Sequence, residues 1–195
     1  MPSVAVRPHA IDVPQPVLDD LRERLARTRW PGEIPGTGWS RGVDMAYMKE
    51  LVGYWLDEYD WRAQEAKLNE LDHFKADIDG LDIHFIHKEG KGPDPMPLFL
   101  MHGYPWSFVL LLKILPMLTD PASYGGDPTD AFTVVVPSII GFGLSDYPMQ
   151  QGFGFQHHPE QYDTLMRKGL GYARYGIEGG DWGGFLTAPF GHYFP

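Results

Sequence analysis

Five of the ten residues in "GIEGGDWGGF", Gly176 to Phe185, are glycine, and an aspartate sits among them. No single regular element runs through such a stretch, because interior glycines weaken helices and strands alike. It reads as a short strand, a tight turn and the start of a helix, in the pattern small-x-Asp-x-small. The glycines allow a bend sharp enough to push the Asp181 side chain out above a sheet, beside the first amides of the helix that follows. Those amides and the helix dipole favour negative charge, so they keep a carboxylate ionised and offer donors to an oxyanion.

A carboxylate in that position suits a narrow chemistry. It attacks amides poorly, but it displaces at a saturated carbon bearing a strained ring oxygen or a halide and so forms an alkyl ester. Water adding to the ester carbonyl then regenerates the aspartate. Taken alone, the residues leave epoxide opening and halide loss both open. The competing assignment makes Asp181 an N-cap for the last helix, a position aspartate favours. The preceding strand, the following helix and two upstream motifs weigh for the nucleophile.

The rest of the chain supplies the frame. The first seventy or so residues look helical: Leu18, Leu21 and Leu25 recur at helical spacing behind Pro16, and "VDMAYMKELVGYWLDEYDW" and "RAQEAKLNEL" continue the pattern. From Phe74 the period changes to alternation, with Leu81, Ile83, Phe85 and His87 on one face and Asp79-Gly80 as a two-residue hairpin turn. "MPLFLMHG" and "FTVVVPS" are short apolar runs of the kind buried on both faces of a sheet. "SFVLLLKILPMLTD", "HPEQYDTLMRKGLGYA" and "WGGFLTAPFGHYF" read as helices between and after strands. Strands alternating with helices predict an α/β fold with a mostly parallel sheet and an opening antiparallel hairpin. The domains expected are a helical extension at 1–72 and an α/β region at 73–195.

Two motifs precede the elbow. In "FLMHGYPWSF" a strand turns toward a helix, and the backbone N–H of Tyr104 can face Asp181 as one oxyanion donor, with the Trp182 N–H as the second. His102 is expected to hold the turn through backbone hydrogen bonds rather than to act as a base. In "PSIIGFGLSDYP", Gly141 and Gly143 allow sharp turning, and Ser145 is expected to tie the loop to the backbone. Trp106, Phe108, Phe153 and Phe155 are candidates for lining an apolar substrate pocket, with ordinary packing as the alternative.

Together "HGYP", "GFGLSDYP" and "GGDWGG", in that order behind a helical extension, resemble the microsomal-type epoxide hydrolases of the α/β-hydrolase superfamily. The resemblance covers nearly the whole chain and implies a partial α/β-hydrolase fold: an epoxide-hydrolase N-terminal region followed by the first half of a catalytic domain. It implies Asp181 as nucleophile, Tyr104 and Trp182 at the oxyanion hole, and a small apolar epoxide as substrate, with no cofactor. Tyr104 stands where tryptophan is more usual in the family, a swap that a main-chain donor tolerates. The family completes its site with two lid tyrosines, an acid and a histidine beyond the elbow helix. The chain as given is therefore expected to be an N-terminal fragment unable to turn over efficiently. The alternatives are a haloalkane or haloacid dehalogenase, with the Trp182 side chain binding halide, and a non-catalytic truncated isoform. In the superfamily's strand order the strand ending at Gly179 lies inside the sheet, so an open edge and self-association through it are expected.

Composition excludes other classes. A formal net charge of −10 with no basic block repels phosphate backbones, so no nucleic-acid partner is expected. The sequence holds no cysteine, which leaves no disulfide or thiolate site and fits a reducing, cytoplasmic setting. The apolar runs are far shorter than a membrane span, and the start lacks a signal-peptide core, so a soluble protein without membrane attachment is expected. His157-His158 without an evident third ligand reads as a loop pair, and no metal is expected.

Overall fold

The computed structural model describes residues 4–194. A mixed sheet contains β1 (Val6–His9), β2 (His73–Ile78), β3 (Leu81–Lys88), β4 (Met96–Met101), β5 (Phe132–Pro137) and β6 (Gly176–Gly179), in the order β1-β2-β3-β5-β4-β6. The expected hairpin joins β2 to β3 through Asp79 and Gly80, which take φ of 53° and 81°. Positive φ at both central residues is what a type I′ turn requires, and its twist matches that of the strands. β3 runs antiparallel to β5, while β4 lies parallel to both β5 and β6. The fold is α/β, with the partial α/β-hydrolase architecture.

Contacts divide the chain into two compact units: Ile11–Glu70, and the segment up to Ala10 together with everything from Leu71 onward. In the helical unit, α1 (Gln15–Ala26), α2 (Met45–Asp57) and α3 (Trp61–Leu68) match the three expected helical stretches. Asp44 and Asp60 cap α2 and α3 by accepting from the amides of Tyr47 and Ala63. The entering segment is pinned to α3, because the Val13 amide donates to Glu65 at 2.7 Å and the Ile11 amide to Asn69 at 2.8 Å. No residue of α1 or α2 is buried within this arrangement.

Val6–His9 departs from the all-helical expectation for the first seventy residues: it forms β1 and pairs antiparallel with β2. Pro8 is compatible with that position because an edge strand can present an unpaired nitrogen outward. Nor does β3 keep a polar face. Alongside Ile83 and Phe85, both His84 and Ile86 are fully buried, so the alternation marks two interiors. One side meets α5 (His158–Thr164) and the elbow helix through Tyr162, Leu165 and Leu186. On the other, the His84 ring packs against Phe108, which is also buried.

Two expected helices are broken. "SFVLLLKILPMLTD" forms a 3₁₀ turn at Phe108–Leu111 and then a short α4 (Leu115–Thr119), with Pro116 in its first turn. Proline offers no N–H to continue an earlier helix and clashes with the preceding turn, so the segment restarts there. The last segment splits likewise into α6 (Trp182–Thr187) and α7 (Phe190–Tyr193) around Pro189. α5 continues into a π turn at Leu165–Gly169.

Candidate active site

Parallel pairing of β4 with β6 aligns Met101 with Gly179, which brings the two strand ends together and sets the turns that leave them side by side. After β4 the chain enters His102-Gly103-Tyr104-Pro105, whose Tyr104–Pro105 peptide is cis. After β6 it enters Gly180-Asp181 and then α6.

Asp181 has φ 54° and ψ −123°, a combination open to glycine and strained for a residue with a Cβ. Its side chain makes no N-cap bond to α6, which removes the capping assignment. Instead its Oδ1 accepts the Tyr104 amide at 2.8 Å across 77 residues of chain. The Trp182 and Tyr104 main-chain amides hold the carboxyl below the usual carboxylate range, so Asp181 is ionised at neutral pH. The residue is exposed.

Close packing makes the neighbouring glycines necessary. A Cβ on Gly103 would lie 2.7 Å from the Asp181 Cβ, and one on Gly179 would lie 2.6 Å from the Gly183 carbonyl carbon. At Gly183 it would meet the His102 oxygen at 2.6 Å. The elbow thus needs small residues because two strand ends and a helix start share one space.

His102 is buried at 1% exposure and acts as a brace. The Ile139 amide donates to its Nε2 at 3.1 Å, which leaves the proton on Nδ1 to reach the Gly103 oxygen at 3.0 Å. Burial pushes its pKa down, so the ring stays neutral. Ser145 ties its loop as expected, donating to the Ser138 oxygen at 2.7 Å and accepting the His84 amide at 2.9 Å.

An aromatic cluster surrounds the elbow. The Tyr104 and Trp182 rings stack with centroids 5.2 Å apart, and Phe155 meets Trp182 edge-on at 4.9 Å. Phe142 lies edge-on to both Tyr104 and Trp182, at 6.1 and 5.8 Å. The sequence reading missed Phe142; the available signal was its place between Gly141 and Gly143, whose φ of 85° and 55° swing the loop back. Of the four expected pocket residues, Phe155 is brought to Trp182, and Phe153 sits one step out against His157 and His158. Trp106 is exposed, with no ring partner recorded, and Phe108 is packed away against His73 and His84.

A groove of about 1090 Å³ occurs elsewhere, within the helical unit, lined by residues such as Leu18, Leu21, Leu51, Trp55 and Trp61. No residue of the elbow lines it. Among the described residues no cluster of histidines and carboxylates is arranged to hold a metal ion, and no helix is long and apolar enough to cross a membrane.

Comparison with known proteins gives one consistent set. Residues 6–111 match the family described as "Epoxide hydrolase N terminus". A Stigmatella aurantiaca protein carrying an epoxide hydrolase name is 43% identical over 97% of this chain and 43% of its own length. Epoxide hydrolase 1 of Oryctolagus cuniculus is 35% identical over 98% of this chain and 43% of its length. Among solved structures, Aspergillus niger epoxide hydrolase superposes with a TM-score of 0.84 at 31% identity, over 98% of this chain and 50% of that one. The chain spans 43% of the length of these two curated relatives.

Proposed function

We propose, from the premise that the chain belongs to the epoxide hydrolase family, that Asp181 opens an apolar epoxide to a vicinal diol through an alkyl-ester intermediate. The observation that carries this reading is the strained, ionised Asp181 carboxylate with the Tyr104 amide 2.8 Å from Oδ1. With Oδ1 held by the Tyr104 amide, Oδ2 is assigned as the nucleophile. It attacks one ring carbon, the carbon–oxygen bond of the ring breaks, and the departing alkoxide takes a proton to become the first hydroxyl. Oδ1 becomes the ester carbonyl oxygen. Water then adds to Cγ, and the negative charge that develops on Oδ1 falls where the Tyr104 amide already donates, with the Trp182 amide as the proposed second donor. Collapse releases the diol with its second hydroxyl and returns the carboxylate. One donor of this kind is worth about 3–4 kcal/mol of barrier, so the amide pair is as much a part of the proposed machinery as the nucleophile.

The remaining assignments belong to the same proposal. Of the residues expected at the pocket, Phe155 beside Trp182 is supported most directly, Phe153 and Trp106 stay in the proposal, Phe108 is withdrawn because it is buried against His73 and His84, and Phe142 is added. The helical extension proposed at 1–72, ahead of a hydrolase region at 73–195, is supported at its C-terminal boundary near Glu70, whereas the compact helical unit opens at Ile11 and Val6–His9 belongs to the sheet. A second copy of the chain is the partner suited to β6, which pairs with β4 on one side only among the described strands. Absence of cysteine supports a cytoplasmic setting.

The test is incubation with styrene oxide, followed by intact mass and peptide mapping. We expect one substrate mass added at Asp181, absent in Asp181→Asn, or the diol carrying label from H₂¹⁸O through the carboxylate. Neither adduct nor diol would overturn the reading, and reaction with a bromoalkane alone would replace it with dehalogenation.

A further inference from the structure

The second buried polar group of the hydrolase unit lies on the face of β3 turned away from Tyr162. His73 and His84 are 3% and 0% exposed, with His73 Nδ1 2.9 Å from His84 Nε2. The other His84 nitrogen, Nδ1, lies 2.8 Å from Ser138 Oγ, and Ser138 is itself fully buried. Each link holds one proton. Either Ser138 donates to His84 and His84 to His73, or the direction reverses. The Ser138 amide also donates to the His84 oxygen at 2.9 Å, so the serine is fixed at both backbone and side chain.

Ser138 is the last residue before the turn that reaches the elbow. The next amide, Ile139, donates to His102 Nε2; His102 Nδ1 holds the Gly103 oxygen; and the following amide, Tyr104, donates to Asp181. Every link is 3.1 Å or shorter, and His102, Ile139 and Ser138 are each no more than 1% exposed. Buried hydrogen-bond chains of this kind polarise and orient one another, and a missing member leaves its neighbours unsatisfied.

We infer that Ser138 and His84 are positioning residues for the Tyr104 amide: through Ile139 and His102 they fix where that donor points at the Asp181 carboxylate. The inference rests on the proposed role of that amide, but its consequence is readable without substrate. If the chain sets the amide's aim, loosening it weakens the hydrogen bond that keeps Asp181 ionised, and the Asp181 titration midpoint rises.

The experiment follows the Asp181 carboxyl carbon by NMR through an acid titration of the full chain, together with the Tyr104 amide shift. Ser138→Ala is expected to raise the midpoint by about half a unit or more, since hydrogen bonds to charged groups are strong enough to move a pKa by that much. Ser138→Thr, which keeps the hydroxyl, restores it. Thr119→Ala, which deletes a buried hydroxyl bonded to the Leu115 oxygen, controls for general loosening and leaves Asp181 unmoved. Should Ser138→Ala not fold, His84→Phe keeps a ring against Phe108 but offers Ser138 no nitrogen, and it carries the same expectation. An unchanged Asp181 midpoint, or an equal rise in Thr119→Ala, overturns the positioning role. That result leaves ester formation at Asp181 untouched, just as failure to form the ester leaves this measurement valid.

Discussion

Replacing Gly183 by alanine sets two effects of known size against each other. Position 183 lies in α6, where alanine is favoured over glycine by about 0.8–1 kcal/mol. The new methyl would stand 2.6 Å from the His102 oxygen and 2.8 Å from the Met101 oxygen. Ordinary contact begins near 3.4 Å, so α6 and the end of β4 must separate by about 0.6–0.8 Å, and both obstacles are backbone. Overpacking of that kind costs about 1–3 kcal/mol. The clash wins, and the expected net loss is up to roughly 2 kcal/mol, or a few degrees in melting temperature for a chain of this size. The same displacement carries the Trp182 amide off Asp181 and raises the carboxyl pKa. Gly180→Ala is the control, because its methyl would meet nothing within 4 Å and its φ is not positive. It should stay within about 0.5 kcal/mol of the parent. Thermal melts of both variants, with the Asp181 titration, decide the matter: Gly183→Ala melting with Gly180→Ala would refute the claim that close approach dictates this glycine.

Acid should destabilise the hydrolase unit well above the carboxylate range. Burial, reinforced by His73, holds His84 near a pKa of about 3 against an ordinary 6.5. Its contribution is complete above pH 6.5 and is lost at up to about 1.4 kcal/mol per pH unit as pH falls toward 3. Burial lowers His102 and His158 in the same direction. Denaturant midpoints measured between pH 7 and 4 should fall steadily, and His84→Asn should flatten the slope. Tyr162→Phe removes the hydroxyl that accepts the Ile140 amide at 3.0 Å in a fully buried site. A stranded amide there costs about 1–3 kcal/mol, and a melt unchanged from the parent would mean the bond contributes nothing.

The parts legible in the sequence were those set by local pattern. Asp79-Gly80 announced its hairpin because few residue pairs take two positive φ values, and the elbow announced itself through glycines that packing then required. Other features depended on tertiary pairing. Val6–His9 has no strand signature of its own and becomes β1 only because β2 offers an edge. His84 looked like the polar side of an alternating strand, yet it is buried by Phe108 and satisfied by Ser138 and His73, partners 54 and 11 residues away. The breaks at Pro116 and Pro189 were legible residues read too leniently. Phe142 was missed because its flanking glycines announce a sharp turn but not which distant rings it will meet.

The conformation at position 181 carries a consequence for how sequences near this one can drift. Only a residue without a side chain adopts φ 54°, ψ −123° free of strain, a difference of about 1–3 kcal/mol. Asp181→Gly would relieve that strain, but it would also delete the bond from the Tyr104 amide, which is of comparable size, and remove the proposed nucleophile. Backbone strain and a carboxylate held at the turn are thus two sides of one residue.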